Sequence, residues 1–103
     1  MKYVITWHER GPASSEYEAL HKRILEIFEG FKMPPGGTIR ECLLRVGEFG
    51  GYMVFETDGP ETDTLGRFLD PVHDRLDDHL RSAFQIKVEP VVDVTASVVA
   101  SVT

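Results

Sequence analysis

His8, His21, His73 and His79 are the side chains of this sequence whose charge changes nearest neutral pH, which makes them the first candidates for chemistry. His21 lies beside Tyr17, Ile24 and Phe28, at the edge of an apolar stripe in which Tyr17, Leu20, Ile24, Ile27, Phe28 and Phe31 recur at helical spacing. His79 falls with Val72, Leu76 and Ala83 on one side of a second helical pattern. Two helices that each turn an imidazole toward a shared interior could supply a general acid and a general base. His21 and His79 are therefore the catalytic candidates, and Trp7, Tyr17, Tyr52, Glu56 and His73 are the candidates for ligand contact. The residues alone favour a plainer reading, in which both histidines cover the edge of the core with polar tips in water and Trp7 is packed for its own sake.

Other chemistries find less support. His73 and Asp77 are four apart and share a helix face, but His79 is six from His73, roughly 120° around the helix, and two ligands do not hold an ion. No metal site is expected. Cys42, the single cysteine, sits in the run Cys42-Leu43-Leu44 and reads as a small buried hydrophobe. Glu56 ends an apolar strand, so it needs a cation such as Arg40, Arg45 or Lys87. It is either a base inside a barrel or an edge residue in a structural ion pair. Gly36-Gly37 and Gly50-Gly51 lack the spacing and setting of a phosphate loop, and Ser14-Ser15 read as helix caps.

The elements that must position these residues follow from periodicity. Residues 2–8 are β-branched and aromatic and read as a strand, and residues 9–12 break the chain. Ser15 with Glu18 forms a capping box for the first helix, and Gly30 is its stop signal. Residues 38–46 and 51–57 are strands joined by a short hairpin connection at 47–50. Asp70-Pro71 divides the next region into helices over 61–69 and 71–82, and the alternating stretch 84–89 is the last strand. The order β-α-β-β-α-β is that of an α+β, ferredoxin-like sandwich with both helices on one face of a four-stranded antiparallel sheet. Residues 1–93 form this domain; the small apolar tail, 94–103, is either a short helix or an arm laid across a partner. The strand in GGYMVFETD, residues 50–58, is apolar from Tyr52 to Phe55 without alternation, so both of its faces require cover. A second copy, sheet on sheet, is the simplest cover for the face the helices leave bare.

Eleven basic against seventeen acidic residues give a net charge of −6, which argues against nucleic acid or an anionic membrane as a partner. No apolar run approaches the roughly 20 residues needed to span a bilayer, and the opening MKYVITWHERG lacks an apolar signal core. A cytoplasmic protein is expected.

The segments VITW at 4–7, PPGGTI at 34–39, GGYMVFETD at 50–58 and VEPVVDV at 88–94 touch all four strands, and together they resemble the dimeric α+β-barrel superfamily. Within it they are most similar to a bacterial domain family of comparable length with no assigned reaction. More distantly they resemble the antibiotic-biosynthesis monooxygenases and the olivetolic acid cyclase-like proteins. VHDRLDDHL, 72–80, is more charged than that resemblance suggests. The resemblance implies a homodimer with a pocket between sheet and helices, binding a small apolar, aromatic or polyketide-like molecule. Oxygenation, cyclisation or isomerisation would proceed by His-assisted proton transfer, with no bound cofactor. The alternative is a non-catalytic homodimer that binds a ligand or stabilises a partner protein.

Overall fold

Side chains on an extended strand alternate between its faces, and in β1 (Lys2–Glu9) the alternation is plain. Tyr3, Ile5 and Trp7 are buried, while Val4 and Thr6 between them are half-exposed. A computed structural model describes residues 1–9, 16–59 and 63–102. Along the chain β1 is followed by α1 (Tyr17–Ile27), β2 (Gly37–Leu44), β3 (Gly50–Thr57), α2 (Asp63–Asp74), α3 (Asp78–Ala83), β4 (Phe84–Val91) and α4 (Thr95–Ser101). The strands form one antiparallel sheet in the order β2-β3-β1-β4. This is the expected ferredoxin-like α+β fold.

Register aligns the inner faces. Ile5 stands opposite Met53 on one side and Val88 on the other, and Tyr3 stands opposite Phe55. A bulge between Ile39 and Glu41 re-phases β2, so that Ile39 faces Phe55 and Cys42 faces Met53. The helices close over this face. Leu20, Ile24 and Ile27 of α1, Phe68 of α2 and Leu80 of α3 are buried against it. Phe68 stacks on Phe55 with ring centroids 4.4 Å apart. The opposite face, which carries Val4, Thr6, Tyr52 and Val54, has no helix packed over it among the described residues. The apolar run of GGYMVFETD thus divides: Met53 and Phe55 enter the core, and Tyr52 and Val54 lie on the bare face.

Several local expectations change. The helix does not restart at Pro71; α2 runs through it to Asp74. Arg67 and Pro71 are both exposed, so the ladder bond that proline cannot make is lost where water replaces it. The break comes at 75–77, where the Asp77 side chain accepts from the Leu80 N–H at 2.8 Å and starts α3. Cys42 is exposed rather than buried: β2 is an edge strand, and only Ile39 and Leu44 of it pack against the core. Its thiol pKa is pushed up by partial desolvation, which disfavours the reactive thiolate. Phe49, in the connection between β2 and β3, is a core residue, 1% exposed. Gly30, with φ +67°, ends the turn after α1 as expected. The tail folds as α4, exposed along its whole described length. The Ser14-Ser15 caps, the break at 10–12 and the expected helix start at 61 lie outside the described residues.

Trp7 pairs with Gly51, where a Cβ would stand 2.3 Å from the Leu43 carbonyl oxygen and 2.9 Å from Trp7 Cζ2. Gly66 in α2 has nothing within 4 Å of the same position. Gly51→Ala is expected to lower the free energy of unfolding by about 1–3 kcal/mol through overpacking. Gly66→Ala should leave it unchanged or raise it by up to ~1 kcal/mol, since alanine is the better helix former. Chemical denaturation of the two variants checks the contrast.

Candidate functional site

Between the sheet and the helices the core leaves a cavity of about 50 Å³. Its floor is Ile5, Trp7 and Met53, and its roof is Ile24 and Ile27 of α1 with Phe68 and Val72 of α2. Leu76, Phe84 and Ile86 form the end toward β4, and Ile86 is exposed, so the cavity meets the surface there. The surface that these side chains present to the cavity is wholly apolar. Trp7 is 6% exposed, and its Nε1, away from that surface, is a buried donor with no hydrogen-bond partner among the described residues. A buried N–H left unpaired costs roughly 1–3 kcal/mol.

His21 is where the helical stripe placed it, buried on the inner side of α1. Its Nε2 accepts from the Gly50 N–H at 3.0 Å, which puts the ring's own proton on Nδ1. The imidazole is also held edge-on by Tyr17 and Phe49, with centroids 6.0 and 5.3 Å away, and Phe49 in turn meets Phe84 at 5.5 Å. His21 does not line the cavity. His79 departs from the expectation. It is exposed, and its neighbour Leu80 takes the inward position, because the break before α3 resets the helical phase. The two imidazoles therefore share no interior.

Tyr52 and Glu56 lie on the bare face, across the sheet from Trp7. A 3.0 Å hydrogen bond from Arg40 Nε holds the Glu56 carboxyl below its ordinary range, with partial desolvation opposing and the charges of Arg40 and Lys2 assisting. Partial desolvation, then the carboxylate of Glu41 and its hydrogen bond, push the Tyr52 phenol up. His73 is exposed at the end of α2, where its carbonyl accepts from Arg81 at 3.1 Å. It lines a groove of about 190 Å³ with Leu76, Arg81, Phe84 and Ile86. Of the candidates, then, Trp7 alone lines the cavity; Tyr17 and His21 brace its neighbourhood and the others stand elsewhere. Among the described residues no three His, Cys, Asp or Glu side chains converge as they would around a metal ion. Nor is any helix of the described residues long and apolar enough to cross a membrane. Sequence reasoning missed Phe49, and the residues alone gave no sign of the cavity, which the resemblance had implied. The signal for Phe49 was an aromatic residue beside glycine in an otherwise polar turn.

If His21 is a clamp between α1 and β3, His21→Leu strands the buried Gly50 N–H and should destabilise by about 1–3 kcal/mol. His21→Gln, whose side-chain oxygen can accept, should recover part of that loss. Urea unfolding of both variants measures the difference.

Comparison with known proteins bears on fold and family. A protein of Deinococcus radiodurans that carries the name antibiotic biosynthesis monooxygenase is similar in structure at a TM-score of 0.60 and 15% identity, with 91% of this chain and 95% of that one covered. A de novo designed protein, Foldit4, matches at 17% identity over 88% of this chain and 99% of its own, with a TM-score of 0.46. At such identities the first likeness extends to the fold alone. No curated protein matches. Residues 1–64, more than half of the sequence, match the family described as a domain of unknown function, DUF3303, and the chain belongs to that family.

Proposed function

We propose that this protein is a homodimer that binds a small, largely apolar molecule in the cavity beneath α1 and α2. The observation that carries the reading is a wholly apolar cavity, walled by aromatic and aliphatic side chains, that meets the surface at Ile86. Ligand sites are lined predominantly by side chains of these kinds. The volume supports a short chain or the end of a longer one: an apolar cavity of roughly 150 Å³ takes benzene, and the space here is about 50 Å³. A fused polyketide exceeds it. Binding is favoured over turnover, because no titratable side chain lines the cavity and the Nε2 lone pair of His21 is already engaged. The name of the Deinococcus radiodurans protein suggests oxygenation as the alternative, and that rests on likeness of fold.

The homodimer rests on the bare sheet face. Val4, Leu43, Tyr52 and Val54 lie near its middle, and Lys2, Arg40 and Lys87 balance Glu41, Glu56 and Glu89 around them. A two-fold interface sets a surface against itself, so a neutral, mixed-sign face suits it where a single-sign face would repel. The chain's net −6 therefore resides elsewhere. Exposed Val94, Val98 and Val99 around α4 adjoin this face, where Lys2 binds Asp93 at 3.1 Å, and add apolar area to the same contact.

Two measurements test the reading. Trp7 is the only tryptophan, so its indole N–H gives one resonance in a ¹⁵N-labelled sample. Titration with dissolved xenon, a probe that dry apolar cavities take up, should shift that resonance saturably, because the indole ring forms part of the wall. An unmoved indole signal at high xenon pressure would sink the site. Sedimentation equilibrium should give a dimer for the parent and a monomer for Val54→Asp; a parent monomer at micromolar concentration would sink the assembly.

A further inference from the structure

The cavity is bounded at its two ends by different strands. Met53 of β3 and Ile86 of β4 both line it, and β1, with Ile5 and Trp7, runs between them. Neighbouring strands stand about 4.8 Å apart, so the strands behind these end walls are roughly 10 Å apart. A volume of about 50 Å³ drawn out between them makes a narrow slot, not a round chamber. Ile86 is 46% exposed and marks the open end, whereas Met53 is 5% exposed and closes the other. No polar surface faces the slot, so an alcohol, carbonyl or charged group would lose its water there without replacement.

From this shape we infer that the ligand is an unbranched alkyl chain that enters tip first past Ile86, keeps its polar head outside, and is limited in depth by Met53. This rests on the cavity being the binding site proposed above, and adds the shape that the site selects. If a cavity of roughly 150 Å³ takes the six carbons of benzene, one a third of that size takes about two. A straight chain can place that much of its tip inside and leave the remainder at the mouth. A compact, branched group cannot divide itself in this way. The sides of the slot are stiff, because Ile5 below and Ile24 and Ile27 above are β-branched. Met53 stands opposite Ile5 in the strand pairing, on the side away from β4, so its unbranched thioether sets how far a tip can reach.

The test compares 1-butanol with tert-butanol, the same atoms in a compact, branched shape, read by the Trp7 indole resonance. Each buried methylene is worth roughly fourfold in affinity, so the parent should bind 1-butanol about tenfold more tightly. Met53→Ala opens the closed end and should admit tert-butanol, bringing the two affinities within about twofold of each other. Met53→Leu, close in volume, should keep the preference. The comparison in the parent decides the shape selection without any variant. Equal affinities there, or no response to either alcohol while xenon binds, overturn it and leave the cavity standing. A preference that survives in a folded Met53→Ala takes the depth-setting role away from Met53. If neither alcohol nor xenon moves the indole resonance, the cavity reading itself fails.

Discussion

The pairing of Trp7 with Gly51 is the constraint on which the rest of the structure leans. An indole can lie flat on the inner face of a sheet only where the neighbouring strand leaves room, and Gly51 has no Cβ to fill that room. The same register sets Ile5 against Met53 and Tyr3 against Phe55, so one pairing fixes which side chains of two central strands enter the core. A slip of one residue would bring Val4, Thr6 and Tyr52 beneath the helices and turn Trp7 and Phe55 out. The glycine that admits the indole thus also decides which face of the sheet the helices cover.

The residue next to that glycine carries the second link. Gly50 donates its N–H to His21, and Phe49 before it packs between His21 and Phe84. Three consecutive residues therefore tie the start of β3 to α1, to the start of β4 and to the indole. This accounts for a histidine buried without a charged partner. It satisfies one backbone donor that the turn into β3 would otherwise strand, and the aromatic rings around it exclude water. Arg75 does a similar service at the other end of α1, donating to the carbonyl oxygens of Ile27 and Glu29 while lying over Phe31. Polar groups in this core mostly hold backbone in place, which leaves the Trp7 N–H conspicuous as the one that does not.

Much of this was legible in the sequence, and the misses share a cause. Period-two and helical patterns located four strands and the stripe of α1, with Trp7 and His21 turned inward, because those patterns report the face a residue occupies within one unbroken element. They fail where an element changes phase. The helical wheel that put His79 inside assumed continuity from Pro71 to Ser82, whereas Asp77 caps a new helix and Leu80 takes the inner place. The bulge at Arg40 does the same to β2, and its edge position leaves Cys42 in solvent. Tyr52 and Glu56 were grouped with Trp7 on residue type, but strand parity sends them through the sheet to the other side. The residues alone did not reveal the cavity, which entered only through the family resemblance, since an empty volume depends on how side chains from five elements fail to meet.

That sheet then separates two kinds of surface. On the helix side Arg81 lines the groove beside Phe84 and Ile86, and Arg23 and Arg75 line another beside Ile27 and Leu80. On the other side acids and bases alternate at short range, Arg40 and Lys2 about Glu56 and Lys87 beside Glu89, so that no net field extends from it. Charge arranged in that way does little to steer a small ion, because opposite signs a few ångströms apart cancel within a Debye length. It does fit the self-association proposed for this face, in which each cation can find the partner's carboxylate. A thin four-stranded sheet has just two faces, and one of them already carries the helices and the cavity. Assigning self-association to the bare face leaves the cavity mouth, at the end of α2 and the beginning of β4, open to solvent and to a ligand.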